Sequence, residues 1–177
     1  MSDPFRDGLV EALPGLRAFA RTFHRDPARA DDLVQETMLK AWSKREQFEM
    51  GTNLRAWLFR ILRNTYLSEL RKLKREVEDV DGAHTASLVV KAEQDGHMAM
   101  NDLQAALAQL NEEQREALLL VGASGFSYED AAEIIGVAPG TVKSRVSRGR
   151  QRLMDLMGTE AATIEPSQTL GSAIGMS

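Results

Sequence analysis

SYEDAAEIIGVAPGTVKSRVSRGRQRL, residues 127–153, decides how this chain is read. Its spacing predicts a short helix, a tight turn and a second, basic helix. Ser127 is a good N-cap, and Asp130 three positions on gives a near capping box. Ala131, Ala132, Ile134 and Ile135 supply an apolar side. Gly136 falls where a helix stops in a left-handed residue, and Pro139 suits the first turn of the next helix, where a missing N–H costs nothing. In that second helix Val142, Val146, Gly149, Leu153 and Leu156 recur at spacings of four and three and make one buried stripe. At about 100° per residue, Thr141, Ser144, Arg145, Arg148 and Arg152 fall opposite, with Lys143, Ser147 and Arg150 on a flank. Between Gly140 and Leu153 stand five bases and no acid. A helix-turn-helix lays its second helix in the major groove, where Arg reads guanine and Lys or a hydroxyl holds phosphate. A single Arg here would be an ordinary solvated charge. The small Ala132, the turn Gly136, the core Val142 and the acid-free face together point to DNA.

The rest of the chain sets the context. Its 177 residues suit one or two domains, and its net charge of −4 means that any nucleic-acid site must be a local feature. With no Cys, disulfides and thiolate metal sites are excluded, which suits a reducing cytoplasm. No apolar run approaches a membrane span, and no signal-peptide pattern opens the chain. His24, His84 and His97 are scattered, so no metal is expected; no phosphate loop or nucleophile motif is present, so neither a cofactor nor a small-molecule substrate is expected. Strand-type alternation is missing, and the expected fold is all-α.

Toward the N-terminus, Asp3-Pro4 and Asp26-Pro27 are cap-plus-Pro helix starts. Leu9, Leu13, Leu16, Ala20 and Phe23 line the first helix, with a kink or break expected at Pro14. The second is expected to turn Leu33, Val34, Met38, Ala41 and Trp42 inward; its early turns carry Asp31, Asp32, Gln35 and Glu36, charges that also suit a helix dipole. Residues 46–52 (EQFEMGT) form a loop in which Phe48 either folds onto the core or serves a site. A long helix follows from Asn53 to about Arg75, with Leu54, Trp57, Leu58, Ile61, Leu62 and Thr65 as its core arc. From Arg55 to Arg75 there are seven bases and one acid, a net of +6. From Glu76 to Asp102 there are seven acids and one base, a net of −6, expected to be a linker with one short helix around Ser87 to Asp95. Helices over 102–109 and 111–121 precede the helix-turn-helix, with Asn111 and Gln114 as another capping-box pattern and Leu103, Leu107, Leu110, Leu118 and Leu119 as their core. The tail from residue 159 is small and polar, and disorder is expected. The expected domains are residues 1–75, an acidic linker 76–101, residues 102–158 and the tail 159–177.

Three segments in order, DDLVQETMLKAW, NLRAWLFRILRN and LNEEQREALLLVGASGFSYEDAAEIIGVAPGTVKSRVSRGRQRL, resemble the extracytoplasmic-function (ECF) sigma factors of bacterial RNA polymerase. The resemblance runs from Leu9 to Leu156. The LPGLRAFAR and VGASGFSYEDAAEI stretches are similar to the EcfG-type general-stress group, whose members are held by a NepR-type anti-sigma factor and released by a PhyR-type regulator. The resemblance implies core RNA polymerase and promoter DNA as partners, with a cytoplasmic location, no membrane and no enzymatic activity. It places Asp31, Asp32, Leu33, Gln35, Glu36, Leu39 and Trp42 on the face that docks on the polymerase. It places Phe48, in the loop 46–52 that takes a flipped base, together with Asn53, Arg55, Trp57, Arg60, Arg63 and Asn64 at the −10 element. Thr141, Lys143, Ser144, Arg145 and Arg148, flanked by Ser147 and Arg150, match the −35 reading helix. Two rivals remain: a sigma-like decoy that binds an anti-sigma factor without DNA, and a stand-alone helix-turn-helix regulator. The intact basic face argues against the first and the docking motif against the second.

Overall fold

The computed structural model describes residues 2–79 and 98–158. Every regular element among them is helical: α1 Pro4–Phe23, α2 Pro27–Ser43, α3 Leu54–Asp79, α4 Met98–Ala108, α5 Glu112–Leu118, α6 Tyr128–Ile135 and α7 Pro139–Met157. A 3₁₀ turn at Arg45–Gln47 follows α2, and a π turn at Leu119–Ala123 extends α5. The short helix expected around Ser87 to Asp95 and the tail from residue 159 lie outside the described residues.

The predicted start signals work as side-chain caps. Asp3 accepts from the Phe5 N–H at 3.0 Å, and Asp26 from Ala28 at 3.0 Å. Asn111 accepts from Gln114 at 2.8 Å, and Ser127 from Asp130 at 3.0 Å. Each satisfies an orphan donor of a first helical turn. Gly136 ends α6 at φ 84°, the left-handed conformation that only a residue without Cβ adopts cheaply.

Helices α1–α3 make one unit around Leu16, Phe19, Leu33, Leu58, Phe59 and Leu62, all fully or almost fully buried. Three expectations change here. Helix α1 runs unbroken through Pro14. The Pro14 ring faces solvent, where water can serve the carbonyl that loses its donor. Trp42 does not turn inward; it is 42% exposed on the outer side of α2. Helix α3 continues past Arg75 to Asp79, although Glu76, Glu78 and Asp79 oppose its dipole. Asn53 starts that helix by accepting from the Ala56 N–H at 3.0 Å.

Helices α4–α7 make the second unit, with Leu107, Leu110, Leu118, Leu120, Ile134, Val142 and Val146 buried. Gly149 lets α7 approach α5 closely: a Cβ there would sit 3.4 Å from the Gln114 carbonyl oxygen. The two units are not separate. The second packs on the side of α3 through α5, the 124–127 segment and α6.

Candidate nucleic-acid interface

The basic face of α7 is built by its buried one. Val142, Val146, Gly149 and Leu153 anchor the helix on α5 and α6. Because side chains repeat every 3.6 residues, that anchoring turns Thr141, Lys143, Ser147, Arg148 and Arg152 out to solvent, with Ser144 and Arg150 at the margin. A groove beside the helix is lined by Tyr128, Lys143, Ser147 and Arg150. Arg145 stands apart. Its guanidinium lies 3.2 Å from Glu113 of α5, and its side chain is only 18% exposed. That pair braces α7 against α5. Glu113 was not singled out from sequence, because its partner lies some thirty residues away.

The predicted α2 residues divide by burial. Asp31, Asp32, Gln35, Glu36, Leu39 and Trp42 are exposed, and from Asp32 to Trp42 they follow one side of the helix. Leu33 does not belong with them: it is 1% exposed and sits in the core between α1 and α3. Leu39, at 71% exposed, is an apolar side chain with no core role. Trp42 touches Phe5 on its inner edge and carries the Arg45 guanidinium over its ring at 4.9 Å. Glu36 pairs with Lys40 one turn on.

In the 46–52 loop Phe48 folds back. It packs against Phe5 at 5.8 Å and Trp57 at 5.2 Å and is buried. Met50 is the loop's outward apolar side chain. Trp57 is likewise part of this aromatic cluster. The −10 candidates on α3 therefore separate into two sets. Arg60 and Asn64 face solvent. Asn53, Arg55 and Arg63 meet the second unit.

Those meetings are specific. Arg63 holds Glu116 in a two-pronged ion pair, with Nε to Oε1 at 2.5 Å and Nη2 to Oε2 at 3.3 Å. The Glu116 side chain is 8% exposed. Arg55 lies over the rings of Phe126 at 4.4 Å and Phe59 at 5.2 Å, and its burial pulls the guanidinium below its ordinary pKa. Phe126 meets Phe59 edge-on at 4.9 Å. The Asn53 amide donates to Asp130 at 3.2 Å. Tyr66, farther along α3, has its phenol pushed up first by burial and then by the Glu112 carboxylate of α5. Sequence reasoning missed Glu116 and Phe126, and it read Asp130 only as part of a helix start. No local signal marked Glu116: it follows Glu112 and Glu113 and reads as one more solvated charge of a short polar stretch.

Comparison with known proteins agrees with this division. The model of Sigma-70 region 2 matches residues 9–76, and that of Sigma-70 region 4 matches residues 100–153. The chain is 49% identical over 176 residues to the ECF RNA polymerase sigma factor EcfG of Rhodopseudomonas palustris, covering 99% of this chain and 97% of the relative. It is 31% identical over 157 residues to the sigma factor CarQ of Myxococcus xanthus, covering 88% and 90% of the two chains. Among solved structures it is similar to the sigma factor RpoE of Bartonella quintana in complex with the anti-sigma factor NepR, at 52% identity, TM-score 0.73, and coverage of 86% of this chain and 96% of that one. Two basic helical surfaces, an exposed face of acids with Leu39 and Trp42 on α2, and matches that span both units lead to one assignment: the chain belongs to the ECF family of RNA polymerase sigma factors.

Proposed function

We propose that the chain docks on core RNA polymerase through the outer face of α2, reads the −35 element with α7, and opens the −10 element with α3 and the 46–52 loop. Helices α1–α3 form the polymerase-binding and melting domain and α4–α7 the −35 domain, with the acidic stretch of sequence between α3 and α4 as the linker. The observation that carries this reading is the outward face of α7. Thr141, Lys143, Ser147 and Arg148 stand exposed on a helix whose opposite side is locked into the core. Arg148, exposed on that face, suits a guanine, and Lys143 and the hydroxyls suit phosphates. Asp32, Glu36, Leu39 and Trp42 offer the polymerase an acidic rim around an apolar centre, the usual anatomy of a specific interface. Melting costs a few kcal/mol per unstacked base, and polymerase docking and backbone contacts supply it.

The chain carries out no reaction of its own and needs no cofactor; it lends promoter specificity to the polymerase in the cytoplasm. Its regulon is stress-responsive, and its inhibitor is an anti-sigma factor of the NepR type, as the likeness to the Bartonella complex supports. Run-off transcription with core polymerase on a panel of genomic promoters tests the whole reading. Sigma-dependent initiation on at least one template is expected. Initiation on none would favour a decoy that holds an anti-sigma factor without using DNA.

A further inference from the structure

The 46–52 loop is held by local turns and by one side chain. The Phe48 N–H donates to the Arg45 carbonyl at 3.2 Å, and the Thr52 N–H and hydroxyl donate to the Glu49 carbonyl at 3.2 and 2.7 Å. Such short-range bonds shape the turns but do not fix the loop on the body. Phe48 is the only buried residue between 46 and 52, so the seat of its ring decides where the loop lies. That seat comes from two helices. The ring centroids of Trp57 on α3 and Phe5 on α1 lie 5.2 and 5.8 Å from that of Phe48. Phe5 also meets Trp57 edge-on at 6.2 Å and Trp42 at 6.4 Å. It is thus the ring shared by the loop, α2 and α3, and it is buried. Its neighbours build it into place. Asp3 caps α1 on the Phe5 N–H, and Pro4 suits the first turn. Gly8 lets that turn lie close on the start of α3, where a Cβ would stand 2.5 Å from Leu54. The match to Sigma-70 region 2 begins at residue 9, so Phe5 lies upstream of it.

We propose that Phe5 is a positioning residue for promoter opening: by seating Phe48 it presets the shape of the 46–52 loop before DNA arrives. The proposal rests on the reading of that loop as the site that takes a flipped base. With Phe48 packed inward, the side chains left to meet a strand are the outward ones, Met50 among them. Fixing the loop when the chain folds removes an ordering cost that would otherwise fall on base capture. Without the Phe5 ring the seat loses one wall. Phe48 then leaves it part of the time, the loop spreads over several conformers, and only the fraction in the competent shape takes the base. The −35 helix α7 belongs to the other unit, so the loss falls on opening rather than on formation of the closed complex.

Three full-length variants carry the test. Phe5→Leu removes the ring and keeps an apolar side chain, and Phe5→Ala removes more. Val34→Ala thins the core of the same unit at a position buried earlier in α2. Circular dichroism gives the melting temperature of each. The chain has no cysteine, so adding Glu49→Cys at an exposed loop position gives a unique spin-label site whose line shape reports loop motion in the free protein. With unlabelled chains and core polymerase, permanganate reactivity of −10 thymines reports opening, and mobility shift at low temperature reports closed complexes. Phe5→Leu should make the loop label more mobile. It should slow opening at least about fivefold while changing closed-complex affinity by less than about twofold, and Phe5→Ala should do more of the same. Val34→Ala should leave the label and the opening rate unchanged at a comparable loss of melting temperature. Unchanged label motion in both Phe5 variants, or a mobile loop with normal opening, would overturn the proposal. An opening defect in Val34→Ala as large as that in Phe5→Leu would do so too, because it would make Phe5 a core residue and nothing more. Met50→Ser separates this proposal from the reading beneath it. Normal opening with Met50→Ser removes the loop reading and the role of Phe5 together, whereas a defect there with none in Phe5→Leu overturns the role of Phe5 alone.

Discussion

Leu33 and Leu39 sit six residues apart on α2, and family resemblance puts both in the docking set. Their surroundings differ so much that one pair of substitutions tests the orientation of the helix. Leu33 is 1% exposed and packed between α1 and α3. Truncating it to Ala leaves a cavity in a close-packed core, a change that costs about 2–5 kcal/mol. For a unit of this size each kcal/mol moves the melting temperature by roughly 4–8 °C, so Leu33→Ala should lower it by roughly 10 °C or more. Leu39 is mostly in water already, and Leu39→Ala should change stability by less than about 0.5 kcal/mol. If Leu39 is buried against the polymerase, its loss removes about 1.5–3 kcal/mol of apolar transfer energy, a weakening of roughly 10- to 150-fold at 1.4 kcal/mol per decade. Calorimetry of the free protein and titration of labelled core polymerase separate the two effects. Leu39→Ala that melts several degrees early, or Leu33→Ala that melts normally but binds polymerase poorly, would refute the assigned orientation of α2.

Further outcomes follow from the same geometry. Arg148→Ala should weaken binding to a −35 duplex by about 1–3 kcal/mol with loss of base preference, and Lys143→Ala should weaken all sequences alike and lower the salt slope by about one phosphate; duplex titrations across salt concentrations check both. Arg145→Ala should cost −35 affinity less than Arg148→Ala, and Glu113→Gln should reproduce most of that loss, because the pair braces α7 on α5; equal losses for Arg145 and Arg148 would return Arg145 to base contact. Exchange of the whole 46–52 loop for Gly-Ser would remove Phe48 from the core at about 3–5 kcal/mol. The informative change is therefore Met50→Ser, which should leave melting temperature and closed complexes intact while lowering permanganate reactivity of promoter thymines. Gly149→Val should force α7 from the Gln114 carbonyl and lower both helix content and −35 binding, as circular dichroism and duplex titration will show.

Local signals were legible wherever cause and effect lie within a few residues. Ser127, Asn111, Asp26 and Asp3 cap their helices because a cap reaches only two or three positions along the chain. The turn at Gly136 and the buried stripe of α7 follow from backbone sterics and the 3.6-residue period, and they placed the helix-turn-helix without any partner being known. The end of α3 was misjudged for a related reason. Three acids near a helix C-terminus are unfavourable, but by an amount small enough for the preceding helix to outweigh.

What the linear pattern left undecided was where ambivalent side chains point. Phe48 and Met50 are two apolar residues of one polar loop, and only the hollow formed by Phe5 and Trp57 selects Phe48 for burial. Leu33 and Trp42 both fit an apolar arc of α2, and the positions of α1 and α3 bury one and expose the other. Arg63 reads as a solvated base until α5 brings Glu116 to it across fifty-three positions of sequence. The chain alone thus determined the helices, their caps, the two basic faces and the family. Tertiary structure decided which of those bases are open to a ligand and which are held by an acid or a ring. Helical period and capping are short-range, whereas a charge pair between distant helices exists only once the units have packed.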